Sequence, residues 1–264
     1  MQDLYELFAR HRSIRQFRPD PVDPDVLERM LNRAIAGASS SGNMQTFSVV
    51  VTRDQELREK LHPLHFHQDM VLEAPVLLTF CADFHRMRCW LAQREAPDNF
   101  DNFMSFMIGA IDAVIVAQNV ALAAEAEGLG ICYMGTTLAN CQAIGEVLQL
   151  PPNVVPVVGF VLGHPAEAPA KRDRLPLAGL VHDEVYHAAD AAEIATVYRD
   201  REAAGWQRYM ADQRLREAVE AAGVSNLAQV YTTVKYTRAS HLEYSRTVLG
   251  CLERQGFLNH QEAG

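Results

Sequence analysis

Residues 103–127 read FMSFMIGAIDAVIVAQNVALAAEAE, and Gly128-Leu129-Gly130 follows. No proline interrupts the run, and it is apolar on nearly all sides of a 3.6-residue period. That predicts one long helix at the centre of a core or an interface, not an amphipathic surface helix. Gly128 and Gly130 suit its C-terminal stop. A membrane span is the competing reading. Asp112, Gln118, Asn119 and Glu125 argue against it, since such groups are costly in lipid. The stretch is therefore expected to be a buried helix, with the rest of the chain wrapped round it.

The flanks supply both kinds of element. Upstream, residues 3–11 read as a short helix. Asp23-Pro24 offers an N-cap with proline at the first helical position, and Val26, Leu27, Met30, Leu31, Ala34 and Ile35 follow at helical spacing. Residues 38–45 form a loop of small polar residues, and 47–52 (FSVVVT) a strand. Asp54 caps a helix running to about His62. Residues 76–81 (VLLTFC) form a buried strand, while 83–99 mix a helix fragment with an irregular segment. Downstream, a helix at about 140–149 precedes a strand-like run at 156–163. The chain is then helical and charged from about 190 to 222, irregular over 224–238, and helical again from about 240 to 255. The class is α+β: one core with a C-terminal helical appendage. No repeat or Pro/Gly-rich linker divides it.

Composition narrows the function. The net charge of −9 makes general nucleic-acid binding a poor expectation, because that needs a basic footprint. Cys81, Cys89, Cys132, Cys141 and Cys251 are odd in number and lack Cys-x-x-Cys spacing, which points away from a disulfide framework and towards reduced thiols in the cytoplasm. The chain opens on Asp3-Leu4-Tyr5-Glu6-Leu7, with no signal-peptide pattern. His62, His65 and His67 lack the cysteine or paired carboxylates of a familiar metal set, so no metal is expected. Neither a P-loop, a Gly-x-Gly-x-x-Gly fingerprint nor a Gly-x-Ser-x-Gly elbow occurs.

Four segments carry candidate chemistry. His11-Arg12-Ser13-Ile14-Arg15 groups cations and a hydroxyl that suit a phosphate or an electron-rich ring edge. Ser39-Ser40-Ser41-Gly42-Asn43-Met44-Gln45 is a loop of small residues that a ligand can approach closely. Tyr133-Met134-Gly135-Thr136-Thr137 offers backbone N–H groups near a glycine. Lys171-Arg172-Asp173-Arg174 is a compact basic cluster in an acidic chain. Each segment alone reads equally well as a solvated turn or an ordinary connection.

Together, in order and approximate spacing, they resemble the FMN-dependent nitroreductase family, and within it the larger oxygen-insensitive NADPH nitroreductase and flavin reductase branch. The resemblance also rests on Gln16-Phe17, Phe80-Cys81-Ala82-Asp83-Phe84, Ala117-Gln118-Asn119, Gly128-Leu129-Gly130, Leu162-Gly163-His164-Pro165, Arg174-Leu175-Pro176, Val181-His182 and Tyr186. It is continuous over about residues 3–187. It implies an FMN-binding core over 1–187, a mixed sheet sandwiched by helices, and an intertwined homodimer with FMN at the interface. Residues 188–264 would be a helical extension packing on the core or the partner.

By position, the family implies that His11, Ser13, Arg172 and Arg174 lie at the phosphate end and Arg15 beside the flavin N1 edge, with Arg12 among the cofactor-binding residues. Gln68 would address the pyrimidine ring, and the backbone of Tyr133, Met134 and Gly135 would face N5. Ser39, Ser40, Ser41 and Asn43 would come from the partner chain. No catalytic acid or base is implied. The family activity passes electrons from NADPH or NADH to a nitroaromatic, a quinone or free flavin by a ping-pong cycle. The alternatives are a flavin-binding sensor or storage protein without turnover, and a specialised member such as a dehalogenase. Two departures stand out. Arg172 replaces the family's lysine. Residues 226–235 lack the arginine pair that reads the NADPH 2′-phosphate, so weaker discrimination against NADH is expected.

Overall fold

Strands β1 (Phe47–Thr52), β2 (Val76–Asp83), β3 (Gly130–Met134) and β4 (Val154–Gly163) form one sheet in the order β1-β2-β4-β3. Every pairing among them is antiparallel, where the family resemblance implies a mixed sheet. The structure is a computed structural model describing residues 4–260. β2 is buried along its whole length, which explains why it reads as an unbroken apolar run instead of an alternating one.

Eight helices belong to this part of the chain: α1 (Leu4–Arg10), α2 (Pro24–Ala36), α3 (Gln55–Leu61), α4 (Met70–Glu73), α5 (His85–Gln93), α6 (Phe103–Ala126), α7 (Thr136–Ala139) and α8 (Cys141–Val147). Their starts follow the expected chemistry. Asp23 accepts from the N–H of Asp25 ahead of Pro24, and Asp54 accepts from that of Leu57. α6 packs on β2 and α2. It approaches so closely that a Cβ on Gly109 would stand 2.9 Å from the Thr46 carbonyl oxygen. α6 is long and apolar enough to cross a membrane by length and composition. Here Ala113, Val116, Ala117, Val120 and Ala124 are buried in the main hydrophobic cluster with β2, β4 and α2, as in a core helix.

The described residues divide into two compact units. One holds the chain up to Ala170 together with the stretch from Tyr244 onward; the other is Lys171–Glu243. The second unit contains α9 (Ala191–Ala211), α10 (Gln213–Ala221) and α11 (Leu227–Gln229), and α12 (Arg238–Arg254) begins in it. The units therefore do not part at residue 187. Residues 177–179 pack on α9, where a Cβ on Gly179 would meet Val197 at 2.5 Å. At the other end, Cys251, Leu252 and Phe257 belong to the core cluster of the first unit.

Three local expectations change. Residues 130–134 form a strand, where the sequence alone had given none. Gly128, with φ +78°, is the helix stop, whereas Gly130 lies in β3 opposite Gly163. Gly130 is required by packing: a Cβ there would meet Ile14 Cγ1 at 2.7 Å. The irregular stretch expected at 224–238 contains α11 and a π-helical turn, Val230–Lys235. Its β-branched and aromatic residues read poorly as helix, but Leu227 and Val230 are buried and hold the turn in place.

Candidate functional site

The Ile14 N–H donates to the Ile131 carbonyl at 2.9 Å, which lays residues 13–15 along β3. Ser13 and Arg15 thereby come beside Cys132. Burial pushes the Cys132 thiol up, opposed by the Arg15 charge and a Ser13 hydrogen bond. The Arg15 side chain is exposed. Its backbone N–H and that of Gln16 both donate to Glu167 Oε1, at 2.5 and 3.1 Å. His11 Nδ1 is 2.7 Å from Glu125 Oε1 on α6. The Arg12 guanidinium donates to the backbone carbonyls of Arg10 and Pro169, so it clips two chain segments together.

β3 delivers the third segment to the same place. Met134 is buried. Tyr133 packs edge-on against Phe160, and its hydroxyl donates to Gln118 Oε1 at 3.5 Å. Both side chains are taken up inside the chain, so what they offer a ligand is backbone. Gly135 follows at the surface with φ −67°, an ordinary helical value. A Cβ there would meet nothing within 4 Å. Neither backbone conformation nor packing within the chain demands this glycine, and its backbone stays uncovered.

Gln68 arrives from a tight turn over 62–68. Its side-chain amide donates to the His65 carbonyl at 2.9 Å, and His65 Nδ1 lies 2.8 Å from Thr136 Oγ1. Ser13, Arg15, Gln68 and Gly135 are thus gathered round β3. A hydroxyl, a guanidinium, a primary amide and an uncovered stretch of backbone suit a heteroaromatic ring with polar edges, as a flavin has. Among the described residues no group of three or more His, Cys, Asp or Glu side chains could hold a metal ion.

The serine loop stands apart. Asp112, fully buried in α6, accepts from Ser40 Oγ at 2.6 Å, the Ser41 N–H at 3.1 Å, the Thr46 N–H at 3.2 Å and Thr46 Oγ1 at 2.9 Å. Ser40 Oγ in turn accepts from the Gln45 N–H at 2.7 Å. The Ser40 hydroxyl is therefore engaged within the loop, while Ser39, Ser41 and Asn43 are exposed on it. Arg86 of α5 ties down the far end by donating to the carbonyls of Gln45 and Phe47. Thirteen residues of helix separate Asp112 from Glu125, a rise of about 20 Å. One chain thus carries the serine loop and the His11 segment at distant points along α6.

Arg172 and Arg174 are exposed in the second unit. Arg174 donates to the carbonyls of Arg172 and Asp173. Asp173 accepts from Arg201 at 3.1 Å and Arg208 at 3.0 Å. Burial alone would raise its carboxyl, but the hydrogen bonds and charge of these arginines hold it below the ordinary value.

The sequence reading missed the partners that set this geometry: Asp112, Glu125, Glu167 and His65. Asp112 left a usable signal, a lone carboxylate in the middle of an apolar helix.

Comparison with known proteins decides the family. The model of the nitroreductase family matches residues 8–164. The chain belongs to the nitroreductase family. An FMN reductase [NAD(P)H] of Bacillus subtilis is 36% identical over 188 residues, covering 70% of this chain and 75% of that protein. An oxygen-insensitive NADPH nitroreductase of Salmonella typhimurium is 36% identical over 197 residues, covering 74% and 79%. A solved structure from Bacteroides fragilis, 40% identical, superposes with a TM-score of 0.88 over 96% of this chain and 100% of that one. In this nitroreductase the family match takes in the β3 site and the serine loop but ends before Arg172 and Arg174.

Proposed function

We propose that this nitroreductase is an FMN-dependent oxidoreductase that passes electrons from NADH or NADPH to a flat acceptor: a nitroaromatic, a quinone or free flavin. The observation that carries the reading is the gathering of Ser13, Arg15, Gln68 and an uncovered Gly135 round β3. The named activities of the Bacillus and Salmonella relatives support it. Bound FMN supplies the hydride and electron transfer.

The protein contributes placement and charge. Gly135 leaves its backbone open to the ring edge, and Gln68 addresses the pyrimidine side. Arg15 holds a fixed cation where negative charge develops on reduction, which favours the reduced state. His11, oriented by Glu125, and Ser13 hold the phosphate end, with Arg12 clipping the segment in place. Donor and acceptor take turns at one open face, so the kinetics are ping-pong.

The site is completed by a second copy of the chain. The separation of about 20 Å along α6 prevents the serine loop from serving the His11 segment of its own chain. Phe103, Met104, Met107, Ile111 and Val114 expose an apolar face of α6, which suits burial against a partner. Ser39, Ser41 and Asn43 then reach the partner's flavin, with Ser40 holding the loop. The protein works in the cytoplasm with its thiols reduced. Chromatography of the cofactor released from purified protein tests the reading. FMN is expected; FAD as the native cofactor, or none, would overturn it.

A further inference from the structure

The turn over 62–68 is built under constraint. Phe66 and His67 have φ of +57° and +54°, two successive left-handed residues, neither of them glycine. Such conformations are unfavourable for side chains with a Cβ and persist only when their surroundings enforce them. The enforcement converges on His65, which is 1% exposed. Its carbonyl accepts from both the backbone N–H of Gln68, at 3.3 Å, and the Gln68 side-chain amide, at 2.9 Å. Its ring Nδ1 lies 2.8 Å from Thr136 Oγ1, and Asn140 Nδ2 donates to the adjacent Leu64 carbonyl at 2.6 Å. The ring does not simply fill space. Its Nε2 is buried without a protein partner, a penalty that an apolar side chain of similar size would avoid. Burial, with the nearby His62, pushes the imidazole down to about 4, so it is neutral at physiological pH and serves as a hydrogen-bonding strut.

We infer that His65 is a positioning residue that locks Gln68 and the Gly135–Thr136 backbone into one rigid frame, so that the two edges of the cofactor ring are held at a fixed separation. The inference rests on the placement of FMN proposed above. Gln68 is attached through the His65 carbonyl, and the residue after Gly135 is attached through its own hydroxyl to the His65 ring. Movement of the turn therefore shifts both edges together.

Three variants test it. His65→Leu keeps the burial and removes the bond to Thr136. His65→Asn can restore a partner to the Thr136 hydroxyl. Thr136→Val removes the same bond from the other end, and it stands in if His65→Leu does not fold. In the FMN-free protein, hydrogen exchange at the amides of residues 66–68 and 135–137 should quicken together in His65→Leu and Thr136→Val, and recover in His65→Asn. In the holoprotein, the rate of flavin reduction by NADH in anaerobic stopped flow should fall about tenfold in the first two variants, the worth of one well-placed hydrogen bond. Unchanged exchange at both segments, or loosening of one segment alone, would overturn the inference. So would an Asn variant that stays folded yet behaves like the Leu variant. A wild-type protein without FMN would instead defeat the functional reading, and the exchange measurement would still decide the role of His65.

Discussion

The carboxylate of Asp112 accepts the Ser40 hydroxyl at 2.6 Å, and it is fully buried in the middle of the most apolar helix of the chain. A buried charge is tolerable only when it is satisfied, and three further bonds, two from Thr46 and one from Ser41, complete the set. Asp112→Asn replaces one acceptor oxygen by a donor facing donors. We predict a loss of about 3 kcal/mol in urea unfolding, against about 1 kcal/mol for Ser40→Ala, which removes one bond. If the loop serves the partner's cofactor as proposed, FMN affinity should fall in parallel in both variants. Titration of FMN into the apoprotein checks this, and unaltered affinity in Asp112→Asn would remove the loop from the site.

Arg15 presents the opposite case. Its guanidinium makes no hydrogen bond to the described residues, so Arg15→Ala should leave stability within about 0.5 kcal/mol, as for an ordinary surface change. The rate of flavin reduction should nevertheless drop more than FMN affinity does if, as proposed, the cation meets charge that appears only on reduction. Stopped-flow reduction and a redox titration check the two sides. A variant with unchanged potential and rate would show that the cation lies elsewhere.

The same contrast explains what the sequence disclosed. The long helix, the buried β2 and the capped starts of α2 and α3 follow from local patterns, and all three were legible. β3 was not, because its five residues begin one residue beyond the helix-stopping Gly128 and carry no alternation. The family was legible through resemblance, which assigned the His11, Gln68 and Gly135 segments to the proposed site. Their supports were hidden because Glu125, Glu167 and Asp112 are far from their partners in sequence: 114 residues separate His11 from Glu125. His65 was noticed only as one of three histidines that failed to make a metal site. Its function as a strut depends on Thr136, 71 residues away.

His65 also makes stability depend on pH. Its folded value of about 4 lies below the ordinary 6.5, so between these values the unfolded chain binds the proton and the folded chain resists it. Above pH 7 the group is neutral in both states and contributes nothing. As pH falls below 6.5, stability is lost, by about 2 kcal/mol at pH 5, levelling off below pH 4. Urea unfolding at pH 7 and pH 5 should show this loss, and the difference between the two pH values should be smaller in His65→Asn. An equal acid sensitivity in the two proteins would assign it to other groups.

Donor choice is expected to depend on how Asp173 holds its arginines. Arg201 and Arg208 converge on its carboxylate, and Lys235 lies 5.0 Å from the ring of Tyr236. Arginines already paired with a carboxylate are poorly available to a nucleotide phosphate, which needs unoccupied forks to replace its water. We expect kcat/KM for NADPH and NADH to differ little. Asp173→Ala should raise the NADPH to NADH ratio by about tenfold or more, the worth of one charged hydrogen bond. An unaltered ratio, with both donors still active, would show that this arginine pair plays no part in donor choice.

The central claim is that the chain holds FMN and reduces it with a nicotinamide. Purified protein mixed with NADH, and separately with NADPH, in the absence of oxygen tests it most directly. A yellow protein with one FMN per chain is expected, whose visible flavin absorbance bleaches with one donor or both and returns on addition of a quinone. A colourless protein, or a yellow one whose absorbance neither donor changes, would contradict it.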